Sequence, residues 1–290
     1  MERMLVLGHR GKLGLALVRS FAQGFQVEGR SLSQGFDAAD FRQVRQVLEA
    51  VRPQVVANAV AFTGLDACEA DPAKAFRLNA QLPSYLARCS GELGFLLLHF
   101  SSDAVFDGTR ASGFYSEEDP PAPVNVYGAS KLEGDGFVAA GAERHYVFRL
   151  SVLAGECRGP GQFLEKMIDR ARTGQALRVS SDIYCSPSYV RDVAEAVRAA
   201  VLSGRPFGLY HTANAGCASL WEWVDAAVRE LGLEVPVLPV SHLTFPSRAS
   251  RALYTPMTSV RQAPLRPWRE AIRDYCRAGG WRIQQPDRQP

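Results

Sequence analysis

Lysine is nearly missing from this chain. Only Lys12, Lys74, Lys131 and Lys166 are present, so arginine supplies the other 29 of 33 basic residues. A charge excess of one sign is missing as well: 33 basic residues face 30 acidic ones, and no block of five or six like charges forms. A nucleic-acid partner is therefore excluded. Close-set cysteines are also missing. Cys68, Cys89, Cys157, Cys185, Cys217 and Cys276 lie at least 21 residues apart, which leaves no CxxC pair for zinc, and a chain of this size needs no disulfide framework. His9, His99, His145, His211 and His242 show no H-E-x-x-H spacing, so no metal is expected and each reads as a core or surface histidine. No run approaches the about 18 apolar residues of a membrane span. The start, MERMLVLGHRGKLG, lacks a signal cleavage site. A cytoplasmic chain without a membrane partner is the expectation.

What is present is the makings of a core: 290 residues, 47% of them hydrophobic, enough for one large domain or two interleaved ones. Short apolar runs alternate with amphipathic stretches, which predicts βαβ units around a parallel sheet. The predicted strands are Met4 to Leu7, Phe25 to Glu28, Val55 to Ala59, Phe95 to Phe100, Tyr146 to Leu150 and Gly208 to His211. Helices are predicted at Lys12 to Gln23, Phe41 to Val51, Pro72 to Leu93 with a break near Pro83, Asn125 to Ala140 with Asn125 as N-cap, Val190 to Leu202, Ser219 to Leu231 and Pro267 to Ala278. Regularity weakens beyond residue 150, with Gly and Pro at Gly155 to Gly161, a Ser/Pro stretch at Ser186 to Ser188 and a polar tail. The fold class is α/β, a Rossmann-type doubly wound parallel sheet with a smaller interleaved α/β substrate domain. Residues 1–150 would form the dinucleotide domain, with 187–212 returning to it, and 151–186 with 213–290 the smaller domain.

Gly8, Gly11 and Gly14 fall between the first strand and the first helix. Glycine there permits a tight turn and close approach of backbone to a pyrophosphate, while the helix start supplies N–H donors. Where the second strand ends, the chain reads Glu28-Gly29-Arg30. Glu28 could serve a ribose hydroxyl, but Arg30, helped by Arg10, could clamp a 2′-phosphate. NADPH is favoured on this ground, with NADH as the alternative.

Tyr127 and Lys131 stand four apart on a predicted helix, and Ser101 and Ser102 end the strand upstream. Nine tyrosines and four lysines give about 0.12 such pairs by chance, and one occurs. Residues at i and i+4 share a helix face. The ammonium is expected to lower the phenol from its usual value near 10 and ease proton exchange, and Ser102 to orient the substrate oxygen.

These residues lie within longer segments: GHRGKLG at 8 to 14, NAVAFTGLDACEADP at 58 to 72, LNA at 78 to 80, SSDAVFDG at 101 to 108, EEDPPAPVNVYGASKLEG at 117 to 134, FRLS at 148 to 151 and VRDVA at 190 to 194. With them the chain resembles the extended short-chain dehydrogenase/reductase family, in its dTDP-4-dehydrorhamnose reductase-like branch. The resemblance implies a catalytic Ser102, Tyr127 and Lys131, with Tyr127 the proton donor. It implies cofactor contacts from Gly8, Arg10, Gly11, Lys12, Leu13 and Gly14, from Arg30, from Asp40 and Phe41 beside the adenine, from Asn58, Ala59, Val60 and Ala61 under the nicotinamide ribose, and from Asn79. Lys131 would bond that ribose too. On the substrate side it implies Ser102, Asp103, Ala104, Val152 and Arg248.

Departures cluster on the substrate side. Ala104 replaces the family's tyrosine, and Val152 stands where an aromatic residue is frequent. Asp182-Ile-Tyr-Cys-Ser-Pro-Ser188 replaces Asp-Gln-x-Gly-x-Pro-Thr, and Arg248 and Arg251 are loose counterparts of an Arg-Pro-x-Asn segment. The expected activity is NADPH-dependent reduction of a nucleotide-activated 4-keto-deoxysugar with an altered pocket. The alternatives are a non-catalytic NADP-binding regulatory subunit, like that of methionine adenosyltransferase, and a sugar-nucleotide epimerase. A homodimer is compatible with each. Asp66 and Glu69 read as capping a neighbouring loop, Trp221 and Trp223 as packing residues, and Asp192 as structural.

Overall fold

The computed structural model describes residues 1–156 and 161–279. Cys157, the middle of the Gly155 to Gly161 cluster and the polar tail lie outside the described residues. The chain opens with strand β1 (Glu2–Leu7), helix α1 (Lys12–Phe21), β2 (Phe25–Arg30), α2 (Phe41–Val51) and β3 (Val55–Asn58). Then come α3 (Leu65–Ala70), α4 (Pro72–Phe76), a π-helical segment (Arg77–Gln81), α5 (Leu82–Leu93), β4 (Leu96–Ser102), α6 (Val126–Gly141) and β5 (His145–Leu150). Beyond these lie β6 (Leu153–Ala154), α7 (Phe163–Arg172), β7 (Leu177–Ser180), β8 (Tyr184–Cys185), β9 (Ser188–Tyr189), α8 (Val190–Leu202) and β10 (Gly208–His211). The described chain ends with β11 (Asn214–Ala215), β12 (Ala218–Ser219), α9 (Leu220–Glu230), β13 (Val237–Val240), β14 (Leu265–Pro267) and α10 (Trp268–Arg277).

Six strands pair in the order β10-β5-β4-β3-β1-β2, every neighbour parallel. Each central strand is apolar on both faces, as a sheet covered by helices on both sides requires. Met4, Val6, Ala57, Leu98 and Phe148 pack on the side of α1 and α8, and Leu5, Leu7, Val56, Leu97 and Val147 on the side of α2, α5 and α6. The strand order turns back between β1 and β3, the place where a ligand crevice opens at the carboxyl ends of such a sheet.

The long helix predicted over 72–93 is broken earlier than Pro83. Asp71 caps α4 by accepting from Lys74 N, and the wide π turn runs over 77–81, so Pro83 falls in the first turn of α5. Proline is tolerated there because it removes no helical hydrogen bond. α6 starts where predicted, with Asn125 Oδ1 accepting from Gly128 N at 2.8 Å. The irregular second half holds a helix that periodicity missed, α7. Its start is capped reciprocally by Gln162 and Glu165, a box that lacks the usual Ser or Thr signal. β7 pairs in parallel with β13, beside α9. Trp223 is buried there and Trp221 donates to Val237 O at 2.8 Å, so both are packing residues. Asp192 binds Arg266 and Asn214, a structural role.

Candidate active site

The β1–α1 turn is built by glycine where no other residue fits. Gly8 has φ 81°, and a Cβ there would stand 2.8 Å from Ala59 O. A Cβ at Gly14 would collide with the Gly8 carbonyl. Helix, turn and β3 are thereby drawn together. α1 has no side-chain cap and no acid in its first turn, so its positive end faces the crevice uncompensated. Two buried polar atoms at this place have no partner among the described residues, Arg10 Nε and Asn58 Nδ2. A glycine cradle, an uncapped helix start and orphaned donors fit a dinucleotide diphosphate and its ribose.

Not every expected ligand is turned to the crevice. The Lys12 ammonium is buried, 2.7 Å from the Glu165 carboxylate and 2.8 Å from Leu153 O. It is an internal tie and not a phosphate cation. Asn79 is fully buried: Oδ1 accepts from Phe62 N, and Nδ2 donates to Phe62 O and Ser130 Oγ, at 2.9 to 3.0 Å. Its work is to hold the 58–62 loop against α6, so it does not touch a cofactor. Asp40 caps α2 through Arg42 N. The Phe41 ring stacks on Tyr85 and carries the Arg77 guanidinium 3.7 Å over it. At the end of β2, Arg30 binds Glu28 at 3.1 Å and Gly29 O at 2.9 Å. Both the acid and the base that bear on cofactor choice therefore stand at one edge.

Ser102 ends β4, and Tyr127 and Lys131 project from the first turns of α6. That helix is set close by Gly128, where a Cβ would meet Ala104 O, and by Gly134, where one would meet Asn79 O. Burial dominates at the Tyr127 phenol and pushes it up to about 12, against the smaller downward pull of Ser102. Burial thus outweighs the acidifying effect expected of Lys131. Lys131 is itself buried and desolvated, held down to about 8, with its ammonium donating to Phe100 O at 2.5 Å. At neutral pH the phenol thus carries its proton, the form a donor needs.

Asp103, expected on the substrate side, is instead a buried knot. Its Oδ1 accepts from Ser102, and its Oδ2 from Ser151 at 2.7 Å and Thr255 at 3.0 Å. Ser151 Oγ accepts in turn from Ser186 N. Burial raises the Asp103 carboxyl and the hydroxyls pull it back. Ala104 and Val152 are half-buried, and Arg248 is exposed. The loop that carries Arg248 is bolted down: Asp66 accepts from Ser247 Oγ and from the N–H groups of Arg248 and Ala249, and Asn125 Nδ2 donates to Ser250 O. Glu69 accepts from Val126 N at the start of α6. Asp66 thus ties the 247–249 loop to α3, and Glu69 ties α3 to the start of α6.

Sequence reasoning missed Asp135, Glu165 and the part played by His99. Asp135 had a signal: an acid at i+4 from Lys131 on an otherwise apolar face. Glu165 had none, because its partner comes from a distant segment. His99 lies buried on β4 with Nε2 3.5 Å from Asp135. Burial first, and Lys131 next, hold its pKa down at about 4. The unfolded chain takes up this proton near pH 6.5 and the native chain only near 4, so stability is lost as pH falls through that window. The loss should reach about 3 kcal/mol. Urea unfolding of His99→Gln from pH 7 to 4 should be less acid-sensitive than the parent, and an unchanged pH slope would refute this origin.

Comparison with known proteins agrees with the geometry. The profile of the RmlD substrate binding domain matches residues 1–279. The spore coat polysaccharide biosynthesis protein SpsK of Bacillus subtilis (strain 168) is 36% identical over 280 residues, 95% of this chain and 97% of that protein. The dTDP-4-dehydrorhamnose reductase of Mycobacterium tuberculosis (strain ATCC 25618 / H37Rv) is 33% identical over 93% of this chain and 91% of its own length. Among solved structures, the dTDP-4-dehydrorhamnose reductase of Bacillus anthracis str. Ames in complex with NADP superimposes with a TM-score of 0.88 at 28% identity, covering 94% of this chain and 98% of that one.

Proposed function

We propose that this chain, which belongs to the RmlD substrate binding domain family, reduces a 4-keto group on a nucleotide-activated deoxysugar with NADPH. It is an oxidoreductase of the extended short-chain type, and its relatives are reductases of a dTDP-sugar. What carries the reading is the Tyr127 phenol, set on α6 opposite the Ser102 end of β4, one helical turn from the buried Lys131 and beside a glycine cradle.

NADPH would supply a hydride to the carbonyl carbon. Tyr127 gives its proton to the carbonyl oxygen, and Ser102 holds that oxygen by a hydrogen bond. Lys131 steadies the tyrosinate left behind and would bond the cofactor's ribose. Gly8, Gly11, Leu13 and Gly14 would hold the diphosphate, the last three through their backbone, and Arg30 with Arg10 would meet the 2′-phosphate. Asp40 and Phe41 would border the adenine, and Asn58 to Ala61 would hold the nicotinamide ribose. The described residues of 151–186 and 213–279 would form the substrate side; Ala104 and Val152 would leave more room there than the family's aromatic residues, and Arg248 would meet a diphosphate. The work belongs in the cytoplasm, and the five described cysteines are free.

Incubation with NADPH and a panel of dTDP- and UDP-4-keto-6-deoxyhexoses tests this. Steady NADPH loss with formation of the alcohol is expected. NAD-dependent isomerisation would make the protein an epimerase, and cofactor binding without turnover a regulatory subunit. Arg30→Ala should weaken NADPH binding about tenfold, the worth of a charge-assisted phosphate contact, while hardly moving NADH. Equal effects on both cofactors would remove Arg30 from the 2′-phosphate.

A further inference from the structure

Lys131 poses an electrostatic problem. Lys131 is almost wholly buried, 1% exposed, and its ammonium donates to a neutral carbonyl, Phe100 O. A buried base normally escapes the cost of desolvation by giving up its proton. A neutral amine could neither steady a tyrosinate nor act as a cation toward a ribose. Something must hold the charge in place.

The groups around it come from three elements. On α6 itself, Asp135 lies one turn further along the same face. β4 contributes His99 and Ser101, and β5 contributes Arg149. Asp135 is 6% exposed; it accepts from Ser101 Oγ at 2.8 Å and Arg149 Nε at 3.2 Å, and His99 Nε2 lies 3.5 Å away. Despite burial, Asp135 stays below the ordinary carboxylate range because His99, Arg149 and Lys131 favour its charge. His99 is neutral at pH 7, so it adds no second positive charge. The other titratable groups near this helix, Asp103 and Cys68, act on the phenol, and His145 acts on His99. Asp135 is the anion whose charge favours protonated Lys131.

We infer that Asp135 is a positioning residue for the reaction: its fixed carboxylate keeps Lys131 charged inside the protein and so keeps Tyr127 and the cofactor ribose served by a cation. The inference rests on the reading of Lys131 as a working group of a reductase. Removing the carboxylate would leave Arg149 and Lys131 buried without an acid. Arginine does not release its proton in proteins, so Lys131 would be the one to discharge.

The scarcity of lysine makes this directly measurable, without any substrate. Lysine-selective 13C labelling should give four Cε signals, and the one lost in Lys131→Met is Lys131. In the parent that signal should titrate near 8. In Asp135→Asn its midpoint should fall by about one unit or more, roughly a fivefold loss of the charged form at pH 8. Where a reduced substrate is in hand, the alkaline limb of kcat/KM should move by the same amount, with activity near that of the parent at pH 6. Asp135→Glu, which keeps the charge, should restore a midpoint within about half a unit of the parent. If Asp135→Asn does not fold, Asp135→Glu still decides, because a fall of one unit with the charge retained overturns the inference. An unmoved Lys131 midpoint in Asp135→Asn overturns it too, whatever the protein turns out to reduce.

Discussion

Tyr127→Phe should lower the rate of carbonyl reduction about a thousandfold while the Kd for NADPH changes little. The phenyl ring keeps the shape and packing of the site, and only the transferable proton is lost; positioned acids contribute about a hundredfold to ten-thousandfold. Single-turnover mixing with NADPH measures the step directly, and cofactor fluorescence titration measures binding. Because burial holds the phenol at about 12, Tyr127 stays protonated across the working range. Any loss of rate above pH 8 should therefore follow Lys131 and not the tyrosine. Ser102→Ala should cost less, since it removes a bond to the substrate oxygen but not the proton. A Phe variant with parental turnover would take the donor role away from Tyr127, and with it the reductase mechanism.

Lys12→Met should destabilise the fold by about 3 to 5 kcal/mol, the cost of leaving one partner of a buried pair uncompensated. The orphaned group would be Glu165, 1% exposed, which also accepts from Tyr275 Oη at 3.0 Å and from Gln162 N. The pair ties the helix after the glycine turn to β6, α7 and α10. Urea unfolding of Lys12→Met, Glu165→Gln and the double variant gives the coupling energy, and the double variant should recover much of the loss. NADPH affinity of the folded Lys12→Met protein should stay within about threefold of the parent, well under the tenfold expected when a direct charge contact to phosphate is lost. A tenfold loss of NADPH affinity without a loss of stability would return Lys12 to the phosphate.

Much of the architecture could be read along the chain because its causes are local. α2 and α8 match their predicted bounds, since apolar spacing of 3.6 and flanking turn residues act within a dozen positions. The glycine turn and the Asn125 cap are equally local. α7 escaped because its cap is glutamine, and the break before Pro83 moved because a neighbouring helix, α6, packs its Gly134 against Asn79.

Sequence alone determined the parallel sheet, the glycine turn at its switch point and the shared helix face of Tyr127 and Lys131, because apolar runs, turn chemistry and i,i+4 spacing are properties of neighbouring residues. Tertiary structure alone decided what those side chains are. It turned Lys12 and Asn79 inward, made Asp103 the meeting point of segments as far apart as Thr255, 152 positions away, and set the protonation of Tyr127, Lys131 and His99. Desolvation and pairing depend on which distant groups are packed against a charge, and no local pattern carries that information.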